Sequence, residues 1–164
     1  MAKDTLRDLY IEQVQDMHSA CIQSHGMTRR LADAATAQDL KAALIDGVKG
    51  IERGRDTMDQ LARAQGADAT GEHCKGMEGL VAEAQDDVFN TEFHDDDVRD
   101  AAIIAQYQRM AHYAISGYGT IRAFAERLGL EAERDAAQEC LDKSYDGDKR
   151  FTEIAQRHVN RDAA

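Results

Sequence analysis

At 164 residues the chain suits a single domain, 1–164, with a sizeable core; it lacks Pro and Trp altogether, and its 31% charged residues interleave with apolar ones, which excludes a disordered tail or a membrane span. A net charge of −11 argues against nucleic acid as a partner, because phosphate binding needs clustered Lys and Arg, and it marks an acidic, self-repelling surface. Three cysteines (Cys21, Cys74, Cys140) behind an N-terminal stretch with no signal-like apolar run read as reduced thiols in the cytoplasm.

Apolar spacing of three and four residues predicts helices almost throughout. The first runs from about Thr5 to Ala35. Thr36, followed three residues later by Asp39, resembles a capping box and predicts a second helix to about Gln65. Gly66-Ala67-Asp68-Ala69-Thr70-Gly71 is a turn by composition, and a shorter helix is expected from Lys75 to Phe89. The acids of Glu92-Phe93-His94-Asp95-Asp96-Asp97 suit the positive end of the next helix, Val98 to Leu128. Gly129 stops it, and a last helix covers Glu131 to Val159.

Four helices of roughly 28 to 31 residues would each be about 45 Å long at about 1.5 Å per residue. Short links at Ala35/Thr36 and Gly129 demand antiparallel neighbours, so the predicted fold is all-α, an antiparallel four-helix bundle with the short helix in its middle crossover. The fourth helix gives an unbroken core seam of Ile104, Tyr107, Ala111, Ala114, Tyr118, Ile121, Ala125 and Leu128. On the last helix the same steps meet Ser144 and Asp148 amid apolar residues. On the first they give Tyr10, Val14, Met17, Cys21, Ser24, Thr28 and Leu31.

Met77-Glu78-Gly79-Leu80, the run Val98 to Ala105, His112-Tyr113, Tyr118-Gly119-Thr120 and Ala125-Glu126-Arg127-Leu128-Gly129 together resemble the YciF-like branch of ferritin-like proteins over nearly the whole chain. The resemblance implies a ferritin-like bundle, a homodimer and a bacterial stress setting, on a scaffold like that of di-iron carboxylate proteins. It also implies where metal ligands would lie, and there this chain departs from the pattern. Cys21 stands for a Glu on the first helix, Lys49 and Glu52 for a Glu and a His on the second, and Ala111 and Ala114 for two Glu flanking His112-Tyr113. On the last helix Ser144 interrupts an acid cluster and Asp148 is kept. A pair of metal ions carrying about four positive charges needs a neutralising shell of carboxylates, which this set does not supply.

A cluster centred on Lys49, paired with Glu52 and Asp148, is the expectation for what replaces the metals, although Ile45, Lys49, Glu52 and Asp56 alone also read as a mixed solvated face. His18, Cys21 and His25 read as a core thiol between imidazoles rather than a metal face, and His112 and the tyrosines as structural. The leading functional reading is a non-enzymatic, stress-associated structural or interaction protein with a degenerate metal site and no cofactor. The second is an iron or manganese oxidase or ferroxidase using Glu52, His112 and Asp148. The third is a small-ligand binder occupying the space that Ala111 and Ala114 leave in the bundle core.

Overall fold

Thr5 opens the first helix, α1 (Leu6–Ala34), by a reciprocal capping box: its hydroxyl accepts the Asp8 N–H at 3.2 Å and the Asp8 carboxylate accepts the Thr5 N–H at 2.9 Å. The computed structural model describes residues 3–164. It continues with α2 (Gln38–Ala64), α3 (Lys75–Ala84), α4 (Asp96–Arg127), α5 (Glu131–Ile154) and a last helical turn, α6 (Asn160–Asp162). Single π-turns, Gln85–Phe89 and Ala155–Val159, extend α3 and join α5 to α6. All of the predicted helices are present.

Their ends follow local chemistry. Asp95 caps α4 by accepting the Asp97 and Val98 N–H groups. Gly66 and Gly129 take left-handed backbone angles, φ 69° and 71°, just beyond α2 and α4. The residue after each donates back to the helix, Ala67 N–H to the Ala62 carbonyl and Leu130 N–H to the Ala125 carbonyl, which closes both ends as Schellman turns.

One expected cap is replaced by another. α2 begins at Gln38, and its cap residue, Ala37, has no side chain that can bond the free N–H groups; Asp39 accepts only the adjacent Leu40 N–H, at 2.9 Å. The Thr36 hydroxyl and the Thr36 and Ala37 N–H groups all donate to Asp100, a fully buried carboxylate near the start of α4. Asp39, the expected partner of Thr36, instead pairs with His158 at 2.7 Å. A carboxylate from a neighbouring helix thus supplies what the local sequence was expected to supply.

The Asp100 contact also fixes direction. It sets the start of α4 beside the start of α2, so α4 runs parallel to α2 and antiparallel to α1. At the opposite end Glu133 of α5 accepts from Tyr10 of α1 and from Gln65 at the end of α2. The helices pack in the cyclic order α1, α2, α5, α4, every neighbouring pair antiparallel, with α3 laid across α1 and α4 in the one long crossover. The predicted seam residues Tyr10, Val14, Met17, Leu31 and Ile121 face inward and are fully or almost fully buried, as are Leu40 and Leu44 of α2 and Phe151 of α5, each large apolar side chain contributing about 1.5–3 kcal/mol. Among the described residues no helix is long and apolar enough to cross a membrane.

Candidate functional site

Midway along the bundle the packing opens into a cavity of about 650 Å³. Its walls follow from the residues that α1, α2, α4 and α5 present at that level. α2 contributes Gly47, Gly50 and Gly54, spaced three and four residues apart and therefore on one face. α4 contributes Tyr107, Ala111, Ala114 and Tyr118, and α1 contributes Ala20, Cys21, Ser24 and Thr28. Met77 of α3 closes the α1/α4 side. Charged residues, among them Asp46, Arg53, Glu139 and Arg150, border the cavity on α2 and α5, and all of these are exposed.

Two glycines are there because tyrosines come close. A Cβ at Gly47 would stand 2.7 Å from the Tyr107 hydroxyl, and one at Gly54 would collide with the Tyr118 hydroxyl. The Tyr107 ring is held by stacking on Phe151, centroids 4.0 Å apart. Tyr118 is fixed by packing and by a 3.4 Å contact between its hydroxyl and Cys21 Sγ. Burial pushes the Cys21 thiol up to about 12 and the Tyr107 phenol likewise to about 12, and it raises Tyr118 well above its ordinary value. All three groups therefore stay neutral at physiological pH, and Cys21 is a poor nucleophile.

The expected metal-site positions divide into two sets. Cys21, Ala111, Ala114 and Ser144 do line the cavity, with the Ser144 hydroxyl turned back to the Cys140 carbonyl at 2.9 Å. Lys49 and Glu52 do not. The Lys49 side chain is 62% exposed, with its ammonium 4.0 Å from Asp46, and Glu52 pairs with His25 at 2.8 Å on the outer face of α2. Asp148 is occupied by α4, accepting from Gln108 at 3.0 Å and lying 3.0 Å from His112. The expected Lys49–Glu52–Asp148 cluster is therefore not formed. The physical reason is helical phase: the inward face of α2 is the glycine face, and positions 49 and 52 point away from it. His18, Cys21 and His25 likewise diverge, His18 and Cys21 into the interior and His25 to Glu52.

This geometry bears on the metal that the resemblance implies. The side chains lining the cavity's interior are mainly alanines, glycines, hydroxyls, methionines, Ile51 and Phe151, with two thiols, Cys21 and Cys140, that burial keeps neutral. The fallback ligands Glu52, His112 and Asp148 are not brought together, since Glu52 is held by His25 away from the other two. Among the described residues no three His, Cys, Asp or Glu side chains converge as a metal-holding group. A di-iron or di-manganese pair does not fit this donor set.

Sequence reasoning found the two alanines but missed the glycines that enlarge the cavity. Their i, i+3, i+7 spacing was visible. Glycine carries no hydropathy, however, so it marks no face on a helical wheel. It also missed Thr28, whose buried hydroxyl finds no partner, because a Thr on an apolar seam reads as filler.

The family described as "Domain of unknown function (DUF892)" matches residues 5–164. Protein YciF of Escherichia coli (strain K12) is 30% identical over 164 residues, covering 99% of this chain and 98% of that one. The crystal structure of the E. coli stress protein YciF superposes with a TM-score of 0.89, covering 96% of this chain and 99% of that one at 30% identity. YcfI of Rhodopseudomonas palustris, provisionally described as a structural protein, gives a TM-score of 0.85 at 27% identity over 93% of this chain and 97% of that one. On a match that spans the bundle from Thr5 to the last residue, the chain belongs to the DUF892 family and resembles YciF throughout.

Proposed function

We propose that this chain is a cytoplasmic, stress-associated bundle protein of the YciF type that works without a di-metal centre and without catalysing a reaction, through its scaffold and surface. The stress setting rests on the likeness to a protein named for it, over almost the full length of both chains. The ferritin-like reading draws support from the single long crossover and the antiparallel packing of all four long helices. One observation carries the loss of the metal centre: the positions facing the middle of the bundle hold Cys21, Ala111, Ala114 and Ser144, and α2 presents glycine there. Two divalent ions in such a lining would be desolvated with no anionic shell to balance them. A homodimer, implied by the resemblance alone, and the lack of a nucleic-acid partner, which the acidic surface supports, complete the proposal.

Metal analysis of protein expressed with added iron and manganese and purified without chelators tests the reading. Metal far below one ion per chain is the expected result. Near-stoichiometric iron or manganese, with anomalous scattering between the long helices, would overturn it and make an oxidase the better description.

A further inference from the structure

The cavity is not explained by loss of ligands alone. Partly open to solvent, at about 650 Å³ it lies within the range of small-molecule pockets, about 300–1,000 Å³. Glycine in a helix interior is about 1 kcal/mol less favourable than alanine. Gly47 and Gly54 are accounted for by the tyrosine hydroxyls against them. Gly50 is not: a Cβ there would meet only the Arg53 guanidinium, at 3.8 Å. The position keeps space open without any neighbour requiring it.

The chemistry of the lining is selective. Every carboxylate and cation that borders the cavity is exposed and belongs to its mouth, where Asp46 pairs with Arg150 at 2.8 Å. The interior offers only neutral groups among apolar ones. Thr28 Oγ1 is fully buried and has no hydrogen-bond partner. The Tyr107 hydroxyl, on a buried ring, lies beside Gly47 and forms no hydrogen bond with another side chain among the described residues. Buried hydroxyls are normally paired, so the unpaired Thr28 hydroxyl, with the Tyr107 hydroxyl on the same lining, points to a ligand that pairs with them.

We propose that the cavity between α1, α2, α4 and α5 is a binding site for a neutral, compact, largely apolar molecule carrying one hydrogen-bonding oxygen or nitrogen, which Thr28 and Tyr107 receive while Gly50 leaves room for its apolar body. A charged ligand is disfavoured because the interior has no counter-charge to replace its hydration. A ligand with no polar group leaves both hydroxyls unsatisfied.

The test uses three probes of one shape, 2-naphthol, naphthalene and 2-naphthoate, titrated at neutral pH into the full chain by calorimetry and ligand-observed NMR. Saturable one-site binding of 2-naphthol is expected, with naphthalene weaker and 2-naphthoate weaker by about tenfold or more. Gly50→Leu, which fills the space from α2, should abolish binding while circular dichroism and melting show an intact fold. Ala114→Leu is the second filling variant, should the first not fold. Tyr107→Phe and Thr28→Val should bring 2-naphthol down towards naphthalene and leave naphthalene unchanged. No saturable binding of 2-naphthol or naphthalene overturns the proposal, as does naphthoate binding equal to naphthol. Undiminished binding in a folded filling variant, or a naphthol preference that survives both hydroxyl deletions, also overturns it. Since the probes are organic and metal content is measured separately, failure here leaves the metal-free reading standing, and the reverse holds too.

Discussion

The end of the bundle where α1 passes to α2 and its middle are built on opposite principles. At the end, a fully buried carboxylate, Asp100, accepts three hydrogen bonds from Thr36 and Ala37; fully buried Leu31 and Leu40 lie within about five residues of that pair along the chain, and fully buried Ile103 lies one helical turn after Asp100. In the middle the polar groups of the interior are neutral, the buried Thr28 hydroxyl lacks a partner, and glycine and alanine replace bulky side chains. Charge is buried where it fixes chain geometry and is absent where a cavity is kept. The difference separates the part of the molecule that specifies topology from the part free to take up a ligand.

The comparison breaks most sharply at Asp100. Removing its carboxylate leaves the Thr36 hydroxyl and two N–H groups without their acceptor and loosens the register of α4 against the α1–α2 turn. Asp100→Ala should lower the unfolding free energy by about 2–4 kcal/mol, with Asp100→Asn intermediate because one acceptor oxygen remains. Urea denaturation followed by far-ultraviolet circular dichroism measures this. A loss below about 0.5 kcal/mol would mean that the link is held by its apolar neighbours and not by the carboxylate.

Within the middle, one substitution on one helix should change sign over a single turn. Gly54→Ala drives a methyl into the Tyr118 hydroxyl, which Cys21 and close packing hold in place, and should destabilise by about 1–3 kcal/mol. Gly50→Ala meets only the tip of Arg53 and should stabilise by about 0.5–1 kcal/mol through helix propensity. If the collision is the cause, Tyr118→Phe should offset most of the cost of Gly54→Ala in the double variant. A double variant no better than the sum of its parts would place the damage elsewhere.

How far these two regions were legible in the sequence differs for a physical reason. Helix existence, the Thr5 and Asp95 starts, the Gly129 stop and the α4 seam were readable because each depends on residues a few positions apart. The cap of α2 was misassigned to Asp39 because Asp100 lies 64 residues from Thr36, and only the tertiary fold brings them together. The middle was half readable. Cys21, Ala111 and Ala114 were placed correctly because the α1 and α4 seams are strongly apolar and fix the helical phase. On α2 the inward face is marked by Leu40, Leu44, Met58 and Leu61 towards its ends and by glycine in its middle; Lys49 and Glu52 were placed from the family resemblance, and the face they share with Ile45 and Asp56 belongs to the outside.

Lys49 gives the finest test of that phase assignment. Were it turned inward, its ammonium would need Glu52 and Asp148 as partners, and replacing it by an apolar residue would strand two carboxylates at a cost of about 3–5 kcal/mol. In the structure its side chain is mostly exposed, its 4.0 Å approach to Asp46 is a surface contact, and Glu52 and Asp148 keep separate partners in His25 and in Gln108 and His112. Surface pairs of this kind contribute about 0–1 kcal/mol. Lys49→Met should therefore change stability by no more than about 0.5 kcal/mol and leave the near-ultraviolet spectrum of the tyrosines unchanged. A multi-kilocalorie loss with altered tyrosine signals would rotate α2 by most of a half turn, replace the glycine face with a charged one, and remove the neutral cavity along with it.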